Sequence, residues 1–453
     1  MDKRPPTRAE LYRALEQIVA ARDEVLVENA RLRAEIERLN GQVAELKAQR
    51  GRQGPGGPTT PSWIKANTPP RPKKVRQKRQ ANFARARGSA TRRVIHAMDA
   101  CPDCGCHLGG GSTKRHREII EISPSPAVVT DHVLRERICP LCAKRCVPTL
   151  GVADGIVGQH RFGPRLLGMI AVLHDVGRMT VRTIQAHLAS VFGVHVSIGA
   201  IADALHTVAE RGASQVAAIR DAVRASPVVH ADETGWRQNG QNRYLWVAST
   251  PTDRYFAIGR RTNDQIDAIL GADFSGILVT DFYAAYDHFD GLKQRCWAHV
   301  LRDAADLLIS FPDNRALIHW VDRLRRLFAA APDAPGDTPT ARRAQRRRLE
   351  ERLTRLCQSS ATADVPQRRL AARLLRHLSE LFTFVTHPFV ATTNNQAERD
   401  LRPHVIARKV WGGTRSERGS TDAAIRFSLF ATWRARGLNP FDQVHNLLLS
   451  PRI

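Results

Sequence analysis

Five short β-rich segments and one helical segment, all between residues 227 and 299, constrain the fold of this chain most strongly. The first three β-rich segments are separated by turns alone, and the helical segment precedes the last two. Three strands followed by a helix and then by further strands indicate an α/β core built on a mixed sheet. The β-rich segments are PVVHAD, YLWVAST, RYFAIGR, GILVTD and KQRCWAH, and the helical segment is NDQIDAILGA.

Two of these strands end in an aspartate, Asp232 and Asp281, and a helix later in the chain carries Glu398 in its first turn, after Asn394 or Asn395 as the cap. These carboxylates could meet at one edge of the sheet. Three adjacent carboxylates cannot all stay ionised without cations, and two Mg²⁺ ions about 4 Å apart would neutralise them and serve phosphoryl transfer. Taken singly, each acid also fits an ordinary turn or helix-dipole role.

The charge balance favours a polyanionic partner. Lys and Arg number 69 against 44 Asp and Glu, which gives a net charge of +25 and a pI near 10.8. This excess favours nucleic acid over membrane. The chain has no long apolar run and no apolar signal core, so we expect a soluble, intracellular protein without a membrane partner. Its eight cysteines should then be reduced or bound to metal.

A heptad repeat near the start predicts a parallel coiled-coil dimer. From Leu11 to Leu46, the a and d positions follow one another at alternating spacings of four and three residues without a shift. These positions are apolar except for Arg22 and Asn29, which both occupy a positions. Such a narrow seam suits a partner helix better than a globular face, although one helix packed on its own domain is the alternative. Residues 51–70 then read as a flexible linker.

A basic arm follows, with ten Lys or Arg and no acid in residues 71–93. Such an arm would bind phosphates without reading sequence, or would simply be a solvated tail. The candidate DNA contacts here are Arg71, Lys73, Lys74, Arg76, Lys78 and Arg79.

Two C-P-x-C motifs predict one structural zinc ion. Cys101 and Cys104 form the first motif, Cys139 and Cys142 form the second, and four thiolates complete a tetrahedral shell. The 34 residues between the motifs contain strand-like segments, so we expect a small ribbon there. Nearby Cys106, Cys146, His107 and His116 are competing ligands, and a set of buried, reduced cysteines is the alternative.

A helical module comes before the strands. Pro164 should open its first helix, Gly193 should end the second, and Ser197 should cap the third. This arrangement fits a helix-turn-helix that reads DNA, and equally fits a helical hairpin that only packs.

The motifs HADETGWR, GILVTDFYAAYDHFDGLKQRCWAHVLRD and TNNQAERDLRPHVIARK resemble the catalytic blocks of the bacterial transposases named after insertion sequence sixty-six. The resemblance implies a ribonuclease-H-like core with an Asp-Asp-Glu triad at Asp232, Asp281 and Glu398. It also implies that Cys296, Trp297 and His299 form a family motif, with His299 either near the reacting phosphate or part of a packed structure. Val410-Trp411 departs from the usual Asn-Trp pattern.

Near the triad, Arg399 and Arg402 could neutralise DNA phosphate, or Arg402 could pair with Glu398 at i, i+4. Between Asp281 and Glu398, 116 residues leave room for an arginine-rich helical insertion, which either contacts DNA or is a solvated hairpin. The expected architecture is therefore multidomain: coiled coil 8–50, linker and arm 51–94, zinc-ribbon-like module 95–150, helical DNA-binding module 160–225, catalytic core 226–304 plus 391–436, insertion 305–390, and C-terminal tail 437–453.

The resemblance implies a metal-dependent DNA transposase that binds terminal inverted repeats and joins them to target double-stranded DNA. We expect a homodimer or higher oligomer in the bacterial cytoplasm, associated with the nucleoid, with small accessory proteins as further partners. Two other functions fit the same motifs: a DNA-binding regulator with an inactive core, and a ribonuclease-H-like nuclease that does not join DNA.

Overall fold

The computed structural model describes residues 27–42, 91–117, 119–120, 127–332 and 338–450, except for 29 and 40. The chain divides into two compact units, Met1–Ile120 and Glu121–Ile453. Among the described residues, no helix is both long and apolar enough to cross a membrane.

In the first unit, residues 27–42 are helical wherever they are described. The apolar side chains of Leu32, Ile36 and Leu39 on this helix are all exposed. Arg38 and Glu35 form an i, i+3 ion pair with an N–O distance of 2.6 Å. The rest of the heptad repeat and the six basic-arm contacts lie outside the described residues.

The second unit contains a five-stranded mixed sheet, which confirms the α/β core. The strand order is β5-β4-β3-β6-β7, in which β3 and β6 are parallel neighbours, as are β6 and β7, and the other pairs are antiparallel. A separate two-stranded hairpin precedes this sheet. The strands are β1 Arg137–Ile138, β2 Arg145–Cys146, β3 Val228–Gln238, β4 Gln241–Ser249, β5 Arg254–Gly259, β6 Ile277–Thr280 and β7 Lys293–Arg295.

Two strands differ in length from the sequence prediction. Strand β3 continues to Gln238 because Asn239 and Gly240, both with positive φ, form the two-residue turn of a long hairpin. Strand β7 stops at Arg295, and Trp297 begins a helix, so the predicted strand KQRCWAH was too long. The predicted ribbon before Arg137 was also wrong for residues 127–136, which form no strand.

Twelve α-helices are described in the second unit, and those within residues 305–390 confirm that the predicted insertion is helical. They are α1 Pro164–Ala171, α2 Val181–Phe192, α3 Ile198–Arg224, α4 Asn263–Leu270, α5 Trp297–Ser310, α6 Arg315–Ala329, α7 Pro339–Thr362, α8 Arg368–Arg376, α9 Thr383–Thr386, α10 Asn395–Trp411, α11 Glu417–Ala435 and α12 Pro440–Leu449.

Both faces of the sheet are covered by helices. On one face, α4 packs through Ile266 and Ile269 against the core around Trp246. On the other face, α10 and α11 pack against β3, β4 and β5, with Trp236 buried between them. Because the strands are buried on both sides, their apolar residues run almost continuously instead of alternating with polar ones.

The insertion packs onto β6 through a core of its own. Ile277 and Val279 of β6 contact the apolar residues of α5 to α9, which include Trp297, Trp320 and Leu353. The chain leaves the sheet after β7, builds this helical layer, and returns at α10.

Helices α1 to α3 share a core with α11 and α12. As predicted, Pro164 opens α1, Gly193 ends α2 with a left-handed φ of 67°, and the Ser197 hydroxyl accepts the Ala200 N–H at the start of α3. The segment that the sequence analysis delimits as a tail contains α12, whose Val444 and Leu448 are fully buried in this core.

Candidate active site

Asp232 lies within β3, and Asp281 directly follows the end of the neighbouring strand β6. The parallel register pairs Val228 with Ile277 and His230 with Val279, and continuing it by two residues, to one residue past the end of β6, aligns Asp232 with Asp281. Neighbouring strands are about 4.8 Å apart, and side chains in register point to the same face. The two aspartates therefore share the face of the sheet that α10 covers.

Asn394 fixes the helix that carries Glu398. It occupies the N-cap position of α10, as one of the two predicted alternatives, but its fully buried side chain does not cap the helix. Its amide instead donates to the backbone oxygen of Ala231 at 2.7 Å, and its Oδ1 lies 3.2 Å from Nδ1 of His230. Because Ala231 precedes Asp232, these contacts hold the first turn of α10, including Glu398, beside the first aspartate.

The electrostatics show that these carboxylates interact. The pKa of Asp232 is raised from its ordinary value of 3.8 to about 8, first by burial and then by the negative charges of Asp281, Glu233 and Glu398. The backbone N–H of Glu233 donates to Asp232 at 2.9 Å and offsets part of this rise. Asp232 therefore senses the charges of the other two predicted acids, although among the described residues the one group of three potential metal ligands within 4.8 Å of one another contains Glu398 and neither aspartate.

Glu233 is a fourth acid that the sequence analysis did not select. It points to the opposite face from Asp232, where its almost fully buried carboxylate accepts hydrogen bonds from Arg261 at 2.7 Å and from the Tyr286 hydroxyl at 2.8 Å. Burial raises the pKa of Glu233 although both partners lower it. Arg261 also stacks over Tyr283, 3.8 Å from the ring centroid. The sequence HADET shows that a second acid follows Asp232, but the sequence analysis did not predict the face of the sheet to which this acid points.

Cys296 connects the strand that precedes Asp281 to the start of α10. Its backbone N–H donates to Thr280 at 2.8 Å, and its sulfur accepts the backbone N–H of Asn394 at 3.1 Å. Burial raises the pKa of this thiol. Cys296 is therefore a buried link between the two halves of the site.

Trp297 and His299 lie on α5, directly after this link. Trp297 is fully buried, donates its indole N–H to the Leu381 oxygen at 2.6 Å and stacks on Phe328, so it joins the site to the insertion. His299 points toward Glu398, and its Nε2 lies 3.6 Å from Oε1 of that residue. Of these two motif residues, Trp297 therefore packs and His299 faces the predicted glutamate.

Behind Asp281, a buried ion cluster supports the strand ends. The fully buried Arg295 donates to the Asp281 backbone oxygen at 2.8 Å and pairs with Glu380 at 2.5 Å and with Asp287. Burial raises the pKa of Glu380, but the hydrogen bond from His377 and the charge of Arg295 outweigh it and lower the pKa to about 2. Sequence reasoning missed this cluster because its members lie in three separate segments.

The two arginines near the triad are exposed. Arg399 donates to the backbone of its own helix, and among the described residues no ion pair joins Arg402 to Glu398. Glu398 instead lies 3.6 Å from His299 and 4.0 Å from Arg302. Arg399 and Arg402 therefore leave their guanidinium groups available on the surface beside the acids.

The two C-P-x-C motifs form loops of the same local structure, each in its own unit. The Cys101 N–H donates to Cys106, five residues on, and the Gly105 N–H donates back to Cys101. In the second loop, the Cys139 N–H donates to Lys144 and the Ala143 N–H donates back to Cys139. Backbone N–H groups lower the pKa of the first cysteine in each loop. The flanking β-bridges also match, since Ala100 pairs with His107 and Ile138 with Arg145.

Comparison with known protein families identifies the family of this chain. Residues 159–422 match the model of the transposase IS66 family, which is more than half of the chain. The chain belongs to the IS66 transposase family. The match includes the sheet, the insertion, all three acids and helices α2 and α3, and it ends inside α11.

Two relatives come from Sinorhizobium fredii. The uncharacterized protein y4qI is 26% identical over 200 residues, which are 39% of this chain and 36% of that protein. The uncharacterized protein y4jO is 28% identical over 145 residues, which are 32% of this chain and 44% of that protein. The chain therefore matches less than half the length of either relative, and the family match alone carries the transposase assignment.

Proposed function

We propose that this IS66-family chain is a DNA transposase whose active site is formed by Asp232, Asp281 and Glu398. It binds the terminal inverted repeats of its element, cleaves a DNA strand and joins the freed 3′-OH to target DNA. The proposal is supported by the register of β3 and β6, which leads toward Asp232 and Asp281, and by the rise in the pKa of Asp232 caused in part by the charges of Asp281 and Glu398. The strand order also supports a ribonuclease-H-like core.

The site fits divalent cations. Burial and three neighbouring acids raise the pKa of Asp232 to about 8, and Oε1 of Glu398 is buried without a hydrogen-bond partner. Carboxylate oxygens of this kind are the ligands that Mg²⁺ prefers. When bound, two Mg²⁺ ions would supply charge neutralisation at the attacking and leaving oxygens of phosphoryl transfer.

The protein's own groups position these acids. Asn394 holds α10 against β3, and Arg295 holds the backbone of Asp281, so the carboxylates do not depend on loop mobility for their placement. Arg399 and Arg402 are exposed beside the acids and would bind the DNA backbone through its phosphates. Because water or a 3′-OH is the attacking group in this proposal, no serine or tyrosine nucleophile is required.

The remaining modules extend the proposal from the sequence. The equivalent hydrogen bonds within each cysteine loop support Cys101 and Cys104 of one loop, and Cys139 and Cys142 of the other, as zinc ligands, since these residues occupy matching positions in their loops whereas Cys106 and Cys146 do not. The exposed Leu32, Ile36 and Leu39 support a coiled-coil homodimer. The basic arm and helices α2 and α3 are proposed DNA contacts, and small accessory proteins remain proposed partners.

Strand transfer by the full-length protein tests the function. DNA that carries the element's own ends is incubated with the protein, a target plasmid and Mg²⁺, and joined products are counted. The site variant is Asp281→Asn, and Asp273→Asn is its matched control because Asp273 is exposed just before the same strand. We expect joined products from the wild type and from Asp273→Asn, and none from Asp281→Asn.

Two other outcomes would support the competing functions. Cleavage without joined products would indicate a non-joining nuclease. End-specific binding without cleavage by any of the three proteins, with accessory proteins supplied, would indicate a DNA-binding regulator. Equal strand transfer by Asp281→Asn and Asp273→Asn would refute the assignment of this aspartate.

A further inference from the structure

Cys296, His299 and Glu398 form a group of potential metal ligands that shares Glu398 with the proposed magnesium site. One ligand atom from each residue lies within 4.8 Å of the other two. Cys296 is fully buried, and the side chains of His299 and Glu398 are about one-quarter to one-third exposed, at 28% and 32%. The sulfur ligand is therefore shielded from solvent, whereas the imidazole and the carboxylate are partly accessible to it.

The separation of the nitrogen and oxygen ligands fits a tetrahedral ion. Zinc lies about 2.0–2.2 Å from nitrogen and oxygen ligands, so two such ligands at a tetrahedral angle are about 3.4 Å apart. Nε2 of His299 and Oε1 of Glu398 are 3.6 Å apart. This distance is too long for a good hydrogen bond but needs little adjustment to share a cation.

Two polar atoms of the group have no hydrogen-bond partner in the described part of the protein. Oε1 of Glu398 and Nδ1 of His299 are both buried without a hydrogen bond. The Cys296 sulfur, in contrast, accepts the backbone N–H of Asn394 at 3.1 Å, a contact that would also favour a metal-bound thiolate. An unpaired buried carboxylate oxygen costs free energy, which a cation at this place would recover.

The ligand chemistry selects against magnesium. A thiolate and an imidazole favour zinc, cobalt or cadmium, whereas Mg²⁺ requires hard oxygen ligands. We propose that Cys296, His299 and Glu398 bind a soft divalent cation, with zinc as the physiological candidate, and that this ion inhibits the enzyme by withdrawing Glu398 from the magnesium site. The inhibitory part rests on the proposed function, but the binding part does not.

Cobalt binding tests the site directly. The full-length protein first receives one equivalent of Zn²⁺ per chain, which the four thiolates of the cysteine loops would bind ahead of a site with a single thiolate. It is then titrated with Co²⁺, and the thiolate-to-cobalt charge-transfer band is recorded. Cys296→Ser removes the sulfur ligand. Cys357→Ser is the matched control, because Cys357 is equally buried but belongs to the core of the insertion.

We expect one further equivalent of Co²⁺ with a charge-transfer band in the wild type and in Cys357→Ser, and no such band in Cys296→Ser. His299→Ala should weaken binding by at least about tenfold, since even outer-shell partners of a metal are worth about 10–100-fold in affinity. A band that persists in Cys296→Ser, or the absence of a further equivalent in the wild type, would overturn the proposal.

Inhibition is measured separately, as Mg²⁺-supported DNA cleavage at increasing Zn²⁺. Zinc should inhibit the wild type and Cys357→Ser, and should inhibit Cys296→Ser at least about tenfold less effectively, in line with the expected loss of affinity. Binding without any cleavage in Mg²⁺ alone would refute the proposed function and leave the metal site standing. Equal inhibition of all three proteins would refute the inhibitory role.

Discussion

Substitution of Asn394 by alanine should damage both stability and catalysis. The fully buried amide donates to the Ala231 oxygen at 2.7 Å and contacts His230 at 3.2 Å, so alanine leaves two buried polar groups without partners. Each such group costs about 1–3 kcal/mol, and we expect the free energy of unfolding to fall by about 2–4 kcal/mol after local relaxation.

The catalytic effect has a separate cause. Asn394 begins the helix that carries Glu398, and it is bonded to the residue that precedes Asp232. A displacement of about 1 Å between reacting groups can cost about 10²-fold in rate, so cleavage by Asn394→Ala should fall by about that factor at temperatures where the variant is folded.

Urea unfolding and the DNA-cleavage rate measure the two effects. Asn395→Ala is the matched control, because Asn395 is the next residue, also an asparagine, and is exposed. An exposed substitution of this kind usually changes stability by less than about 0.5 kcal/mol. If Asn394→Ala and Asn395→Ala have the same free energy of unfolding and cleave DNA at the same rate, the positioning argument is refuted. If it loses stability but no activity, Asn394 holds the fold without setting the site.

Three further predictions concern the supports of the site and its surface. Trp297→Ala should cost about 3–5 kcal/mol in urea unfolding, since it removes a fully buried indole; a loss below 1 kcal/mol would contradict its packing role. The pKa of Glu380 is lowered from 4.5 to about 2, so its contribution to stability is present above pH 4.5 and is lost as the pH falls toward 2. Glu380→Gln should therefore be less stable near pH 7 and show a smaller loss of stability between pH 5 and pH 3, and an unchanged pH profile would disprove this. Arg399→Ala and Arg402→Ala should each reduce the slope of log affinity for DNA against log salt by roughly 0.9, and slopes equal to that of the wild type would exclude phosphate contacts.

Local sequence signals were sufficient for most elements of the core. β-rich composition and turn residues predicted all five strands of the large sheet, and Ser197, Gly193 and Pro164 marked helix ends that the structure confirms. The errors lie where one signal had to be weighed against another. The residues around Cys296 have a β-forming composition, although a helix begins at Trp297. The residues before Arg137 also have a β-forming composition, but they have no partner strand among the described residues.

The site itself was predictable only in part, because its geometry depends on contacts between distant segments. The ends of apolar strands singled out Asp232 and Asp281, but spacing alone did not place Glu398 beside them; the family resemblance did. No local pattern distinguishes the structural role of Asn394 from ordinary helix capping. The face to which Glu233 points follows from alternation along β3, and it could have been predicted once the strand was accepted.

The insertion explains why such distant segments can form one rigid site. In the sequence, its helices lie between Cys296, just after β7, and Asn394, the N-cap of α10. They must therefore return the chain to the point where the Asn394 N–H donates to the Cys296 sulfur. Trp297 and Arg295 anchor the insertion at this point, through the Leu381 oxygen and the Glu380 carboxylate respectively. Loss of either anchor should therefore affect the triad although neither residue belongs to it. The position of Glu398 is determined as much by the fold of the insertion as by the sheet, which is why the length of the segment before Glu398 in the sequence does not predict it.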